Sequence, residues 1–328
     1  MDAEAVLDVR DLRVGFGRGV DLVDGVSFSI APREILGLVG ESGSGKSLTS
    51  LAIMGLIPAP GRVGGQIGFR GTELLALSEA ERRALRGRRI AMIFQDPMSA
   101  LTPVYRIGWQ IAEQIRAHLD LSRRPTETRV LDLLSAMGIA DPRRVASAYP
   151  HQLSGGLRQR AMIAMALSCD PDLLIADEPT TALDVTVQAQ ILELILRLRD
   201  EFASAVLLIT HDLGVVAQIA DRVAVMYCGR IAERGPREAM FGAHARVHPY
   251  TAGLLGSIPR LHGPRVARLA AIPGSPPNAA LRPPGCAFSP RCAHASARCD
   301  TPPPIVPLGD AHEIACILPA VAAEPDHV

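Results

Sequence analysis

An α/β fold is what this sequence predicts: a mixed, largely parallel sheet covered by helices, an antiparallel β piece near the start, a helical insertion, and a small irregular C-terminal extension. Three observations predict it. Apolar runs of strand length, EILGLVG, RIAMIFQ, DLLIADE and AVLLITHD, alternate with helical stretches, the pattern of parallel strands buried on both faces. From Pro97 to Ser168 the helical pattern runs without a strand, and IGWQIAEQIRAHL and TETRVLDLLSAMG are its clearest amphipathic pieces. From Pro273 to Pro307 prolines recur too often for regular helix or central strand.

The remaining elements follow from local pattern. LDVRDLRVGF and GVSFSI alternate apolar with polar residues and predict the antiparallel sheet. Glu81 to Arg89, ERRALRGRR, reads as a solvated helix face rather than a nucleic-acid contact. After Gly229 the β pattern fades, and the tail AVAAEPDHV reads as disordered. With 328 residues and 48% hydrophobic content, the chain can bury one large core plus a smaller module. Its 34 basic residues balance 34 acidic ones, so no overall field draws it onto nucleic acid or anionic lipid. The beginning, MDAEAVLDVR, lacks the basic-then-apolar order of a secretion signal, and no run reaches the roughly 18 apolar residues that cross a bilayer. A cytoplasmic protein is expected, in which the six cysteines stay reduced.

The segment GESGSGKS holds the chemistry. Gly40, Gly45, Lys46 and Ser47 satisfy G-x-x-x-x-G-K-[ST] between an apolar strand and a helix. Glycines at 40, 43 and 45 let backbone N–H groups turn inward around phosphate oxygens, and the helix that follows aims its positive end at the same anion. Lys46 is suited to the β- and γ-phosphates and Ser47 to Mg²⁺; Ser42, Ser44 and Leu48 complete the loop and first helical turn. These features predict binding of a nucleoside triphosphate.

In LLIADEPTTALD an apolar strand delivers Asp177 and Glu178 to its carboxyl end, where open α/β sheets bind ligands. Asp177 is suited to hold magnesium and Glu178 to polarise an attacking water. LSGGLRQR, Leu153 to Arg160, repeats the anion-binding logic: Ser154, Gly155 and Gly156 stand immediately before a helix, with Gln159 in its first turn.

Taken in order, GESGSGKS, Gln95 in IFQDP, LSGGLRQR, LLIADEP, TALD and His211 in LLITHD resemble the motifs of ABC-transporter ATPase subunits, over about residues 5 to 260. The resemblance implies an ABC-type phosphate-loop core, an ATPase domain over 1–255 with its helical subdomain at about 97–168, and an extension over 256–328. It also implies a head-to-tail pair of cassettes, in which Ser154, Gly155 and Gly156 serve the partner's nucleotide; Gln159 is counted among the nucleotide-binding residues. Gln95 is assigned by the same resemblance to Mg²⁺, the attacking water and the transporter contact, His211 to the γ-phosphate, Asp184 to communication across the dimer, and Phe16 to adenine stacking. The catalytic set so implied is Lys46, Gln95, Glu178 and His211.

VHPYTAGLL, IPGSPPN and GCAFSPRC resemble the extension of oligopeptide and dipeptide importer ATPases, a group that also serves nickel and other small solutes. The implied protein is the motor of a peptide importer at the cytoplasmic face of the membrane. Its implied partners are a second ATPase subunit, preferably different, two permease subunits and an extracytoplasmic binding protein, with no nucleic acid. Cys286, Cys292, Cys299 and Cys316, spaced C-x5-C-x6-C-x16-C, match neither the usual zinc nor the usual ferredoxin template. Resemblance to importer ATPases that carry a [4Fe–4S] cluster favours a cluster, with Zn²⁺ or free thiols the alternatives. Cys169 and Cys228 read as buried small residues. The rival function is a soluble ABC ATPase acting on ribosomes or DNA, which commonly joins two cassettes or inserts a coiled coil; neither feature is present.

Overall fold

The structure, a computed structural model, describes residues 5–17, 19–96, 100–180, 185–242, 245–258, 271–318 and 321–322. Its strands are β1 (Leu7–Phe16), β2 (Asp21–Ile30), β3 (Ile35–Val39), β4 (Gly61–Phe69), β5 (Thr72–Glu73), β6 (Ile90–Ile93), β7 (Leu173–Asp177), β8 (Ala205–Thr210), β9 (Arg222–Tyr227), β10 (Arg230–Pro236), β11 (Arg246–Val247), β12 (Val306–Gly309), β13 (His312–Ile314) and β14 (Val321–Ala322). The helices are α1 (Lys46–Ile53), α2 (Glu79–Leu85), α3 (Ile107–His118), α4 (Arg123–Ala136), α5 (Pro142–Ser147), α6 (Gly155–Ala166), α7 (Val185–Phe202), α8 (Leu213–Ile219), α9 (Arg237–Phe241) and α10 (Pro249–Gly256).

Two compact units divide the chain. One comprises Ala76–Leu207 with Ala31–Arg33 and the beginning up to Val6; the other comprises Leu7–Ile30, Glu34–Leu75 and Leu208–Val328. In the first, β6 and β7 are wholly buried and pair in parallel, as their unbroken apolar runs predict. The start of β8 joins them through the Ala205 N–H, which donates to Asp172 O at 2.8 Å. Helices α3 to α6 follow one another without an intervening strand. Their core is Ile107, Ile111, Ile115, Val130, Leu134, Met137 and Val145, spaced at helical period and all buried. The solvated helix face expected over Glu81 to Arg89 is realised only as far as Leu85: α2 buries no residue and starts with a Ser78–Glu81 capping box, and residues 86–89 follow outside the helix.

In the second unit, β1 pairs antiparallel with β2 and β4, Leu7 facing Ile30 and Phe69, which realises the alternating pattern. The larger sheet runs β12-β13-β10-β9-β3 here, with β3 and β9 parallel and the rest antiparallel. The β pattern does not end at Gly229. RIAERGP forms β10, whose charged residues masked it in the sequence: Arg230 pairs with Asp24 at 2.6 Å and Arg234 with Glu313 at 2.5 Å. Strand β13 of the extension then adds to β10, Glu233 facing Ile314. Between residues 271 and 305 the chain forms only three short 3₁₀ turns, as its prolines demand. Val321–Ala322, within the tail expected to be disordered, pairs with β11 as β14; residues 320 and 323–328 lie outside the described residues.

A buried carboxylate ties β10 to α10 and β13. Glu233, fully inaccessible, accepts from the His248 N–H at 3.0 Å and from the Thr251 hydroxyl, and its other oxygen lies 2.7 Å from His312 Nε2. His248 caps α10, its Nδ1 accepting from the Tyr250 N–H at 3.0 Å; burial, only partly opposed by Glu233, pushes its imidazole down to about 4.

Candidate active site

Within the second unit, β3 ends at Val39 and the chain turns at Gly40, φ 152°. A Cβ there would sit 2.2 Å from Met226 O, so only glycine lets the loop pass β9. Gly43 has open space around it but φ 78°, so its backbone conformation alone demands glycine. Gly45 opens α1, and the Lys46 side chain folds back beneath the loop: Nζ donates to Gly40 O at 2.7 Å and Glu41 O at 3.0 Å, with Ser44 Oγ at 3.4 Å. The Gly229 N–H ties Ser44 O at 2.8 Å. Ser42 and Ser47 are exposed and Leu48 is half-buried, which leaves the mouth of the loop open to an anion.

His211 follows β8 and is exposed; its neighbour Asp212 caps α8 by accepting from Gly214 N at 2.8 Å and Val215 N at 3.3 Å. Phe16 closes β1, half-buried, opposite Gly61; a Cβ at Gly61 would come 3.0 Å from its ring. Two loop ties escaped the sequence. The Glu41 N–H donates to Tyr250 Oη at 2.9 Å, and the Glu41 carboxylate pairs with Arg291 at 2.6 Å. No spacing rule links residues 209 and 250 positions apart.

In the first unit, strand register assembles the second group. Ile93 pairs with Ala176 in the parallel ladder, so Gln95 and Glu178 each stand two residues beyond a matched pair, at the same carboxyl edge. Gln95 Nε2 accordingly donates to Glu178 Oε2 at 3.0 Å. Asp177, the last residue of β7, is buried. Glu178 has φ 49°, a left-handed conformation rare for a side chain of this size, which turns its carboxylate out of the strand direction.

Ser154 takes the N-cap position of α6, exposed, and among the described residues its side chain makes no capping hydrogen bond. A Cβ at Gly155 would meet nothing within 4 Å, and at Gly156 only Val187 methyls at 3.8 and 3.9 Å. Gln159 is engaged by its own chain, buried and donating to Pro179 O at 2.7 Å. Asp184, with the rest of TALD, lies outside the described residues, as does Pro97.

All six cysteines are free thiols, and Cys169 and Cys228 are buried as expected. Among the described residues no group of three or more His, Cys, Asp or Glu side chains stands ready to hold a metal ion. Burial raises the thiols of Cys286, Cys292 and Cys316, and each also feels two others of the quartet, Cys299 included. The Cys286 N–H donates to Cys299 O at 2.8 Å.

Comparison with known proteins covers both parts of the chain. The ABC transporter family matches residues 23–181, and the oligopeptide/dipeptide transporter C-terminal region matches residues 232–299. The dipeptide transport ATP-binding protein DppD of Bacillus subtilis is 50% identical over 329 residues, covering 98% of this chain and 97% of that protein. The oligopeptide transport ATP-binding protein OppD of Mycobacterium tuberculosis is 49% identical over 317 residues, 95% of this chain and 52% of its own length, so the chain spans about half of that relative. Among solved structures, the dimeric ATP-binding cassette MJ0796 in a post-hydrolysis state with ADP and Pi superimposes with a TM-score of 0.64 at 25% identity, over 70% of this chain and 98% of that one.

Proposed function

The chain belongs to the ABC transporter ATP-binding proteins of the oligopeptide/dipeptide type, and on that premise we propose that it is the ATP-hydrolysing motor subunit of a di- or oligopeptide importer. One observation carries this reading: the 50% identity to a dipeptide transport subunit runs through cassette and extension alike, over 98% of the chain. In this reading the loop amides and Lys46 take the β- and γ-phosphates, and Ser47, Gln95 and Asp177 are the groups for Mg²⁺. When bound, that ion supplies charge neutralisation at the phosphates. Glu178 is the base for the attacking water, oriented by Gln95; His211 senses the γ-phosphate, Phe16 stacks on adenine, and Asp184 communicates across the dimer.

The partner is a second, similar ATPase subunit, a heterodimer in our reading, whose nucleotide is clasped by Ser154, Gly155 and Gly156. Two permease subunits hold the pair at the cytoplasmic face of the membrane and receive substrate from an extracytoplasmic binding protein. An apolar patch supports the permease contact: Val104, Tyr105 and Trp109 are 70%, 46% and 44% exposed in the segment after Gln95, with Tyr105 and Trp109 stacked at 4.1 Å. Among the described residues no helix is long and apolar enough to cross a membrane.

Cys286, Cys292, Cys299 and Cys316 are assigned to a [4Fe–4S] cluster, with Zn²⁺ the alternative. The resemblance and the sulfur donors of the four side chains support the assignment, although among the described residues they do not stand together as a metal-holding group. When bound, such a group would cross-link the extension's turns and add folding energy to a module with little core. Anaerobically purified protein should contain about four irons and acid-labile sulfide per chain; colourless protein with one zinc replaces the cluster by the alternative.

The function is tested by reconstitution with the two permeases and binding protein in proteoliposomes. Uptake of labelled di- or oligopeptide should require ATP, and Trp109→Glu should abolish uptake. Failure to associate with any permease pair, with turnover stimulated by ribosomes or DNA instead, would overturn it.

A further inference from the structure

The second position of the phosphate-loop motif is one its pattern leaves open, yet here Glu41 is held at every polar group. Its carboxylate Oε2 accepts from Arg291 Nη1 at 2.6 Å and Oε1 from Nη2 at 2.9 Å, a two-pronged pair. Its N–H donates to Tyr250 Oη at 2.9 Å. Its carbonyl accepts from Lys46 Nζ at 3.0 Å and from the Ser44 N–H at 3.2 Å. The same residue thus carries one of the oxygens that orient the phosphate-binding lysine.

The other half of the pair is set before the loop meets it. Arg291 is only 5% exposed, and its remaining donor capacity goes to Pro273 O at 2.8 Å, Tyr227 Oη at 3.3 Å and Gly274 O at 3.4 Å. Its guanidinium also lies 5.8 Å from the Tyr227 ring centre. A planar cation fixed by two carbonyls and a ring presents its fork in one orientation, so the carboxylate must come to it. The turn that bears Arg291, Ser289–Arg291, leads directly into Cys292 and follows Phe288, whose ring packs at 5.3 Å from both Tyr227 and Tyr250. Arg291 and Tyr250 therefore reach the loop from one aromatic block, built by Tyr227 at the end of β9 and by the segment after β10.

We propose that Arg291, seconded by Tyr250, is a positioning residue for ATP: through Glu41 it fixes the phosphate loop and Lys46 in the binding geometry, and so couples the state of the cysteine-bearing extension to nucleotide affinity. The proposal rests on the reading of the loop as the ATP site. Losing the Glu41 carboxylate leaves a nearly buried guanidinium unpaired, losing Arg291 frees the carboxylate, and in either case the loop regains conformations that bind phosphate less well. Coupling is reciprocal, so ATP must in turn stabilise the extension.

The test uses the full chain, with Mg-ATP as the probe, and three variants: Glu41→Gln, Arg291→Gln and the double substitution. Each single change should weaken ATP binding and raise KM about 5- to 30-fold, while kcat at saturating ATP stays within about twofold. The double variant should be no worse than the poorer single one, because both remove one interaction. Native affinity in the singles, or losses that multiply in the double, overturns the proposal. Should Arg291→Gln fail to fold, Glu41→Gln and Tyr250→Phe, which drops only the hydroxyl, decide it by the same KM-against-kcat criterion. ATP should also slow amide exchange across residues 286–299 in the native chain and not in Glu41→Gln; equal protection in both overturns the coupling. Lys46→Ala separates the two levels. If it binds ATP as tightly as the native chain, the reading of the loop has failed; if it loses ATP while the Glu41 and Arg291 variants keep it, only the positioning proposal has.

Discussion

The phosphate loop and the start of α6 at Ser154–Gly156 use the same residue types, serine and glycine before a helix, and their surroundings are opposite. Around the loop the chain itself demands each residue: Met226 O leaves no room for a Cβ at Gly40, and Gly43 stands at φ 78°. At Ser154, Gly155 and Gly156 the chain demands nothing. Gly155 has open space, Gly156 makes only ordinary contact with Val187, and Ser154 makes no cap bond among the described residues. A glycine that its own fold does not need can answer to something outside the chain, which in the function proposed above is a second subunit's nucleotide. The difference teaches that the first motif is internal architecture, while the second, on the proposed function, is a surface presented to a partner.

The largest expected effect tests whether the two are joined through a dimer at all. Glu178→Gln removes the base while keeping the shape and the Gln95 contact, so phosphate release should fall by a factor on the order of 10² to 10⁴. The ATP-bound dimer should then persist on gel filtration, and in that trapped state Ser154, exposed in the single chain, should be protected from a labelling reagent when replaced by cysteine. Normal turnover in Glu178→Gln, or a Ser154→Cys thiol still fully reactive in the trapped dimer, breaks the comparison.

Next in size is the loop's own steric demand. Gly40→Ala places a Cβ against a backbone oxygen at 2.2 Å, with φ 152°, a combination that local adjustment does not relieve. A loss on the order of 3 kcal/mol is expected in thermal or urea unfolding. A variant as stable as the native chain would mean that the loop is not held against β9.

How much of this could be read in advance depended on whether a side chain's partner was local in sequence. The loop was legible because strand, glycines, lysine and helix are contiguous, and Asp177 because its strand is an unbroken apolar run. Gln95 was picked out only by resemblance, and its place beside Glu178 was not read in advance, since the pairing of Ile93 with Ala176 that brings them together is a register no sequence pattern fixes. Strand β10 was missed because its charged residues, Arg230, Glu233 and Arg234, looked like surface; each has a partner contributed by a distant segment. Arg291 and Tyr250 were invisible as loop residues for the same reason. The extension read as an irregular cover, and its prolines gave that correctly without revealing what the cover grips.

That grip is open to a pH test. His248 caps the helix that carries Tyr250, and its native value near 4 lies below its ordinary 6.5. The unfolded chain therefore binds a proton at pH values where the folded chain does not, so stability is full above about pH 6.5 and is lost as pH falls toward 4, by on the order of 3 kcal/mol. His248→Asn keeps a capping acceptor without the titration and should flatten that slope in thermal melts. Amide exchange should show the loss in the extension and the phosphate loop, and not at the start of α6. A slope unchanged in His248→Asn would assign it to other groups.

The smallest effect on stability is the most discriminating. Gly155→Ala adds a methyl where nothing lies within 4 Å and replaces the poorest helix former but proline with the best. The isolated chain should be unchanged or gain about 0.5 kcal/mol, the reverse of Gly40→Ala. If the segment serves a partner's triphosphate, that same methyl occupies the space where the γ-phosphate meets bare backbone, and ATPase activity should drop at least about tenfold although nothing in the monomer has been harmed. A glycine whose replacement stabilises the subunit and silences the pair can only have been kept for the pair. If activity survives with the added stability, the open space at Gly155 is mere surface, and the contrast between the two serine-glycine segments loses its meaning.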